Sequence, residues 1–152
     1  MDINKGFKID NPNIFIPWDI NVRQLKMIFE GHRLRRITNT CFETSGWTLN
    51  GLACKIAFRF GEIDGKLKEI EFSRAEYPDL RESFIDFQIH FECEFGNAHR
   101  KEKAYNGFYN YMWFFGDVLI IHYVFDESQP EERMKIRKRA KIDPFLKPFS
   151  AN

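Results

Sequence analysis

The sequence predicts an α+β fold in which a curled antiparallel β-sheet packs on one long amphipathic helix. Three observations lead to this prediction. Apolar residues recur at a helical interval between residues 79 and 95, and they alternate in several other stretches. Turn signals, Asp64-Gly65 and Gly116-Asp117, separate some of those stretches. The length of 152 residues suits a single domain, 1–152, with an extended tail from about residue 143 to residue 152.

The long helix, about residues 79–95, rests on the clearest periodicity in the chain. Its apolar residues step by four, three, four and four positions, which aligns them on one face: Leu80, Phe84, Phe87, Phe91 and Phe95. Asp79 is a favourable N-cap, and Glu82 is placed to complete a reciprocal capping box. Gly96 is suited to end the helix, because glycine adopts positive φ without a steric penalty.

A short helix and eight strands complete the prediction. The short helix covers about residues 21–30, with Asn21 as its cap and Gly31 after its end. Alternation or β-branched and aromatic residues predict strands at residues 6–10, 13–18, 34–44, 48–60, 66–73, 108–115, 118–126 and 133–140. Polar residues predict exposed loops at 97–107 and 127–132. In the last strand, we expect Met134 and Ile136 to face the core.

Composition excludes several classes of protein. The formal net charge is +1, so no overall field attracts nucleic acid or membranes. The N-terminal residues lack the basic and apolar regions of a signal peptide, and the apolar run at 118–121 is too short to span a bilayer. Cys41, Cys54 and Cys93 are odd in number and widely spaced, which argues against disulfides. We therefore expect a cytoplasmic protein with reduced cysteines and no membrane partner.

Candidate catalytic and metal-binding residues are few. Asp86, His90, Cys93 and Glu94 share a helix face and have side chains that bind zinc, but a solvated helix face explains the same pattern. Cys93 and His90 are close enough for a nucleophile and its base, although no orienting group or oxyanion hole is evident. His122 lies inside an apolar strand, where a histidine is more often a structural residue with its hydrogen bonds satisfied than a catalytic base. We therefore predict no catalytic residue, no metal and no cofactor, and a protein that is not an enzyme.

Charge is divided unevenly along the chain. Between residues 69 and 95 the acidic residues predominate, and they are Glu69, Glu71, Glu76, Asp79, Glu82, Asp86, Glu92 and Glu94. Between residues 131 and 152 the basic residues predominate, and they are Arg133, Lys135, Arg137, Lys138, Arg139, Lys141 and Lys147. An ordinary solvated helix and strand surface explains the acidic pole. An edge strand that Lys and Arg protect against edge-to-edge pairing explains the basic pole. Alternatively, the acidic pole binds a basic protein. Nucleic acid is a weaker candidate for the basic pole, because the aromatic residues are needed in the core.

Three further features accompany the acidic stretch between residues 69 and 95. They are a Pro-Trp turn at Trp18 after a short opening hairpin, a Ser45-Gly46-Trp47 turn, and a high phenylalanine content in the whole chain. Together they resemble the immunity proteins that bacteria keep beside polymorphic or contact-dependent toxins. The resemblance implies a stoichiometric inhibitor that binds a cognate toxin, with acidic patches where the toxin is a basic nuclease. The partner-binding residues predicted on this basis are Glu82, Asp86, Glu92 and Glu94.

Two alternatives belong to other classes of protein. A curled sheet over a helix can enclose an apolar pocket, which would make the chain a small-molecule-binding protein or a modest enzyme of cone-shaped fold. In that case His122 would lie in the cavity with Glu43 or Asp126. The chain is alternatively a dimeric chaperone-like or structural protein that offers its sheet to a partner. The sequence leaves the partner's identity and the oligomeric state open.

Overall fold

A computed structural model describes residues 1–74, 79–104, 107–126 and 128–139, without the side chain of Asp126. In chain order, the strands and helices are β1 (Gly6–Ile9), β2 (Ile14–Pro17), α1 (Val22–Ile28), β3 (Arg35–Thr38), β4 (Cys41–Thr48), β5 (Leu52–Phe60), β6 (Leu67–Ser73), α2 (Leu80–Phe95), β7 (Arg100–Lys103), β8 (Tyr109–Phe115), β9 (Val118–Asp126) and β10 (Pro130–Lys138). The predicted tail from about residue 143 lies outside the described residues.

The strands form two antiparallel sheets. β1 and β2 make a separate hairpin, and the other eight strands form one sheet in the order β3-β4-β5-β6-β10-β9-β8-β7. The large sheet therefore contains two four-stranded meanders, β3 to β6 and β7 to β10, which meet where β6 pairs with β10. Helix α2 is the connection between the two meanders, since it follows β6 and precedes the edge strand β7.

The predicted α+β fold class is wrong, because the described part of the chain is mostly β. It has ten strands and two helices, of 7 and 16 residues. Two predicted loops, 97–107 and 127–132, contain β7 and the start of β10. The predicted strand at 34–44 divides into β3 and part of β4. The physical reason is that pairing with a neighbouring strand orders polar segments such as Arg100–Lys103, which carry no apolar periodicity.

Three elements cover the large sheet: the β1–β2 hairpin, α1 and α2. The prediction of a sheet packed on one long helix is therefore wrong in this respect as well. Phe7 of β1 lies 5.2 Å from Phe72 of β6 between ring centroids, and Phe29, just after α1, lies 5.5 Å from Phe58 of β5. Phe91 of α2 also contacts Phe72, at 5.7 Å. Each of these buried rings stabilises the fold by about 1.5–3 kcal/mol. The small hairpin and both helices thus share one core with the sheet.

Local predictions fare better than the fold class. The alternating residues of β5 are all buried, namely Leu52, Cys54, Ile56, Phe58 and Phe60, and so are Met134 and Ile136 of β10. Gly116, with a φ of 56°, supports the tight β8–β9 turn in which Phe115 pairs with Val118. The β5–β6 turn is wider than predicted. Gly65 has positive φ but Asp64 does not, and the Gly61 N–H donates to the carbonyl of Lys66 at 2.8 Å.

Both helices begin after the N-cap residues that the sequence predicts, Asn21 and Asp79. The Asn21 side chain accepts from the N–H of Gln24, whose side chain accepts in return from the Asn21 N–H, so the capping box occurs on α1. On α2 the Asp79 carboxylate accepts from the N–H of Arg81 at 3.0 Å, and not through the predicted box with Glu82. Gly96 ends α2 with a φ of 80°.

Candidate protein-interaction face

Helix α2 has a buried inner face that fixes its orientation. Phe84, Phe87 and Phe91 are at most 6% exposed and face the sheet. Phe91 lies 6.3 Å from the Trp113 ring of β8, whose indole N–H donates to the carbonyl of Gly96 at 2.8 Å. Because contacts at its middle and its end hold the helix against the sheet, the residues on the opposite side of α2 project into solvent at defined positions.

The outward side of α2 combines apolar and acidic residues. Ile85 and Ile89 are 51% and 53% exposed, and they lie one helical turn apart. Glu82 and Cys93 are also exposed, and Asp86 is half-buried at the border. We call these five residues the α2 face. Large aliphatic side chains next to one another on a surface, with carboxylates beside them, resemble the apolar centre and polar rim of a protein interface.

The four predicted partner-binding residues all lie on α2, but not on one face. Glu82 forms no ion pair with any described residue and is exposed. Asp86 pairs with the Arg74 guanidinium through Oδ2, and its Oδ1 lies 3.5 Å from Nε2 of His90. Glu92 accepts a hydrogen bond from the Gln88 amide at 2.8 Å. Glu94 binds the N-terminal amino group at 2.9 Å. Glu82 and Asp86 flank Ile85 and Ile89 on the α2 face, whereas Glu92 and Glu94 are half-buried and are not part of it.

A groove separates α2 from the β4–β5 hairpin. Its volume is about 730 Å³, and its walls include Trp47 of β4 and Asp86 of α2. His90 links the same two elements, because its Nδ1 lies 2.7 Å from the carbonyl of Leu49 in the turn between β4 and β5. Trp47 is 55% exposed beside this groove. Trp47 lies within a strand and not in the Ser45-Gly46-Trp47 turn that the sequence predicts.

The two charge poles of the sequence partly neutralise each other in the fold. Glu71 of β6 lies 2.6 Å from a guanidinium nitrogen of Arg133 on β10, and 3.3 Å from Nε of Arg59 on β5. Glu69 lies 3.4 Å from Lys135 and 3.3 Å from Arg137. Antiparallel pairing of β6 with β10 brings these residues together on one face of the sheet. The basic strand β10 is a central strand, not the edge strand considered for it.

A basic surface that the sequence poles do not reveal lies at α1 and β3. Arg23, Lys26, Arg33 and Arg36 are exposed, and no described carboxylate pairs with them. Arg35 of β3 pairs with Glu43 of β4 at 3.1 Å. The close spacing of Arg23, Lys26, Arg33 and Arg36 along the chain is the sequence signal that could have located this surface. The net charge of +1 thus conceals an acidic helix face and a separate basic end of the sheet.

A buried polar network connects α2 to β9 and β10. His122 is fully buried, with Nδ1 2.8 Å from Oε1 of Gln88 and Nε2 3.1 Å from Oε2 of Glu132. The Ser83 hydroxyl donates to the other oxygen of Glu132 at 2.8 Å. The Phe84 ring stacks on the imidazole at 3.8 Å. Burial lowers the pKa of His122, although the hydrogen bond and the charge of Glu132 act in the opposite direction.

This network holds the helix in place but does not resemble a reaction centre. The serine hydroxyl points to the carboxylate and not to the imidazole, so the geometry of a histidine-activated nucleophile is not present. None of the described groove linings includes His122. For the pocket alternative, Glu43 pairs with Arg35 on the sheet, and the side chain of Asp126 lies outside the described residues.

The remaining sequence candidates do not converge on a site. Among the described residues, no group of histidine, cysteine and carboxylate side chains is arranged to hold a metal ion. Both ring nitrogens of His90 are engaged, by Leu49 and Asp86, while Cys93 is exposed. Burial raises the pKa of the Cys54 thiol to about 12 and also raises that of Cys41. Neither side chain therefore forms the reactive thiolate readily at neutral pH.

No protein-family model, curated protein or solved structure matches this sequence or fold. Within the part of the chain that the structure describes, neither helix has the length and hydropathy needed to cross a membrane.

Proposed function

We propose that the chain is a protein-binding module that acts as an immunity protein, neutralising a basic toxin by stoichiometric binding through the α2 face. The observation that carries the proposal is the pair Ile85 and Ile89, half exposed on a helix whose inner side is fixed in the core. Aliphatic residues at the centre of an interface supply binding energy when they are desolvated.

The charge of α2 specifies the chemistry of the partner. The α2 face carries two carboxylates, the unpaired Glu82 and Asp86, which pairs with Arg74, and none of its five residues is basic. A surface of this sign accelerates encounter with a basic protein and disfavours an acidic one. A toxin that acts on nucleic acid needs a basic surface, so covering that surface would inhibit it. This is the form of inhibition that the resemblance to immunity proteins implies.

The test begins with the tagged protein and a lysate of the source organism. Proteins retained by the wild type are eluted with increasing salt and identified by mass spectrometry. We expect one basic protein in near-equal amount that elutes only at high salt, and whose expression alone arrests growth. Co-expression of the wild-type chain should restore growth.

Charge reversal then tests the α2 face. E82K/D86K should weaken binding and abolish protection, whereas E30K/E62K changes the net charge equally at exposed sites outside α2 and should preserve both. Because Asp86 pairs with Arg74, E82K alone is a second variant that disturbs no described ion pair. Full protection by both α2 variants would exclude this face, and a wild type that captures no toxin would reject the proposed function.

A further inference from the structure

Trp47 is an exposed aromatic residue whose backbone is held on both sides. Its N–H donates to the carbonyl of Asn11 at 2.9 Å, and its carbonyl accepts from the N–H groups of Asp10 and Asn11 at 2.8 and 3.0 Å. These bonds attach β4 to the turn of the small hairpin, so Trp47 is fixed where the two sheets meet. More than half of the residue's surface nevertheless remains in solvent.

Gly46 makes this attachment feasible. A Cβ atom at position 46 would lie 2.7 Å from the carbonyl oxygen of Asn11, closer than a carbon atom can approach without displacing backbone. The absence of a side chain therefore allows the β1–β2 turn to lie directly against β4. The consequence is that the backbone of Trp47 is already ordered before binding, which lowers the entropic cost of using this residue as a contact.

The groove beside Trp47 is continuous with the α2 face through Asp86. Pro12 and Ala53 provide small apolar walls, while Lys55 and Arg74 provide cations, one of which pairs with Asp86. A volume of about 730 Å³ accommodates several side chains. Trp47, the groove and the stripe of Ile85 and Ile89 therefore form one continuous surface across β4, β5 and α2.

We propose that Trp47 is the anchor residue of the interface, and that a loop of the basic partner enters the groove with a bulky apolar side chain against the indole. This inference rests on the proposed function and extends its interface beyond α2. Tryptophan in a pre-formed site is among the residues that most often dominate binding energy. Glu82 and Asp86 then steer the encounter, while Trp47 slows dissociation.

The same surface is poorly suited to nucleic acid. The carboxylates of α2 repel phosphate, and the exposed centre of the face is aliphatic, so bases have no aromatic surface there apart from Trp47. A protein fits this surface if its basic residues meet Glu82 and Asp86 and an apolar loop, free of cations, lies against Trp47, Pro12 and Ala53 beside Lys55. The occupant is therefore the same protein that the α2 face attracts.

The experiment compares W47A with F15A. Phe15 is 45% exposed on β2 and provides a matched loss of one aromatic side chain outside the groove. The dissociation constant and the dissociation rate are measured by surface plasmon resonance with the basic protein that the wild type retains. W47A should weaken binding at least about thirtyfold, mainly through faster dissociation, and F15A should remain within about twofold. Thermal unfolding confirms that both variants are folded.

The outcomes separate the anchor from the function. Loss of binding in W47A but not in F15A supports the anchor. Normal binding by W47A together with loss of binding in E82K/D86K overturns the anchor and leaves the proposed function intact. Equal losses in W47A and F15A also overturn the anchor, because the effect is then not specific to the groove. If the wild type binds no basic protein, both proposals fail.

Discussion

The junction of β6 and β10 and the outer face of α2 both collect carboxylates, but they use them in opposite ways. At the junction, Glu69 and Glu71 are 6% and 8% exposed and lie among basic side chains of neighbouring strands. On α2, Glu82 projects into solvent and pairs with no described residue. The comparison teaches that charge counted along a sequence does not locate a binding surface, because strand pairing decides which charges are already neutralised.

The largest loss of stability is expected at Glu132, a buried carboxylate of β10 that contrasts with exposed carboxylates such as Glu82. E132A removes the acceptor of both Ser83 and His122 in a fully enclosed site. We expect the free energy of unfolding to fall by about 3 kcal/mol, since buried polar partners are left without hydrogen bonds.

Urea unfolding at neutral pH measures this effect, with E131A as the matched control. Glu131 is the preceding residue of the same strand, exposed and paired with Arg133 at the surface. Its removal should cost no more than about 0.5 kcal/mol. Equal stabilities of the two variants would show that the buried network does not hold α2 to β10.

A smaller effect is expected at the junction itself, and it depends on pH. Burial alone would raise the pKa of Glu71, but the hydrogen bond from Arg133 and the charges of Lys135 and Arg59 outweigh it and lower the pKa. The contribution of Glu71 to stability is therefore present above about pH 4.5 and disappears as the pH falls through the folded value. E71Q should lose about 1–2 kcal/mol at neutral pH and little at low pH.

Stability curves of the wild type and E71Q between pH 3 and pH 7 test this prediction. The control is E43Q, which alters the exposed pair of Glu43 with Arg35 near the edge of the same sheet. We expect E43Q to run nearly parallel to the wild type. A difference between E71Q and the wild type that persists unchanged to pH 3 would contradict the ionic role of Glu71.

The smallest effect on stability is expected on α2. E82A removes an exposed carboxylate with no described ion pair, so the free energy of unfolding should stay within about 0.5 kcal/mol of the wild type. Association with the proposed basic partner should slow, more at low salt than at high salt, because electrostatic steering is screened by ions. Stopped-flow association at two ionic strengths makes the measurement, and an unchanged rate at low salt would remove Glu82 from the steering surface.

Local periodicity predicted the elements that depend on local contacts. The heptad-like spacing around Phe84, Phe87 and Phe91 located α2, and the alternation in β5 located a strand whose inward residues are buried. The fold class failed where order depends on a distant neighbour. Arg100–Lys103 carries no apolar pattern and becomes a strand by pairing with β8. Arg133 meets Glu71 across 62 positions of sequence, a distance that no local pattern encodes.

The candidate site was predicted in part. Glu82 and Asp86 lie on the α2 face. Ile85 and Ile89 could not be recognised from periodicity, because the stronger inward stripe of phenylalanines accounts for the helical pattern without this second apolar pair on the opposite side. The sequence predicts Trp47 as part of a turn, whereas it lies in β4. Its importance depends on the main-chain bonds to Asn11 and on the groove, which arise only when the two sheets meet.

The position of β10 has a consequence for how the protein is made. β10 is the last strand in the described part of the chain, yet it lies at the centre of the large sheet between β6 and β9. The β3–β6 meander can form early from local hairpins, but its inner edge remains open during synthesis until residues 130–138 emerge from the ribosome. Nascent chains that stop before Pro130 therefore expose the edge of β6, a surface prone to aggregation and to recognition by chaperones.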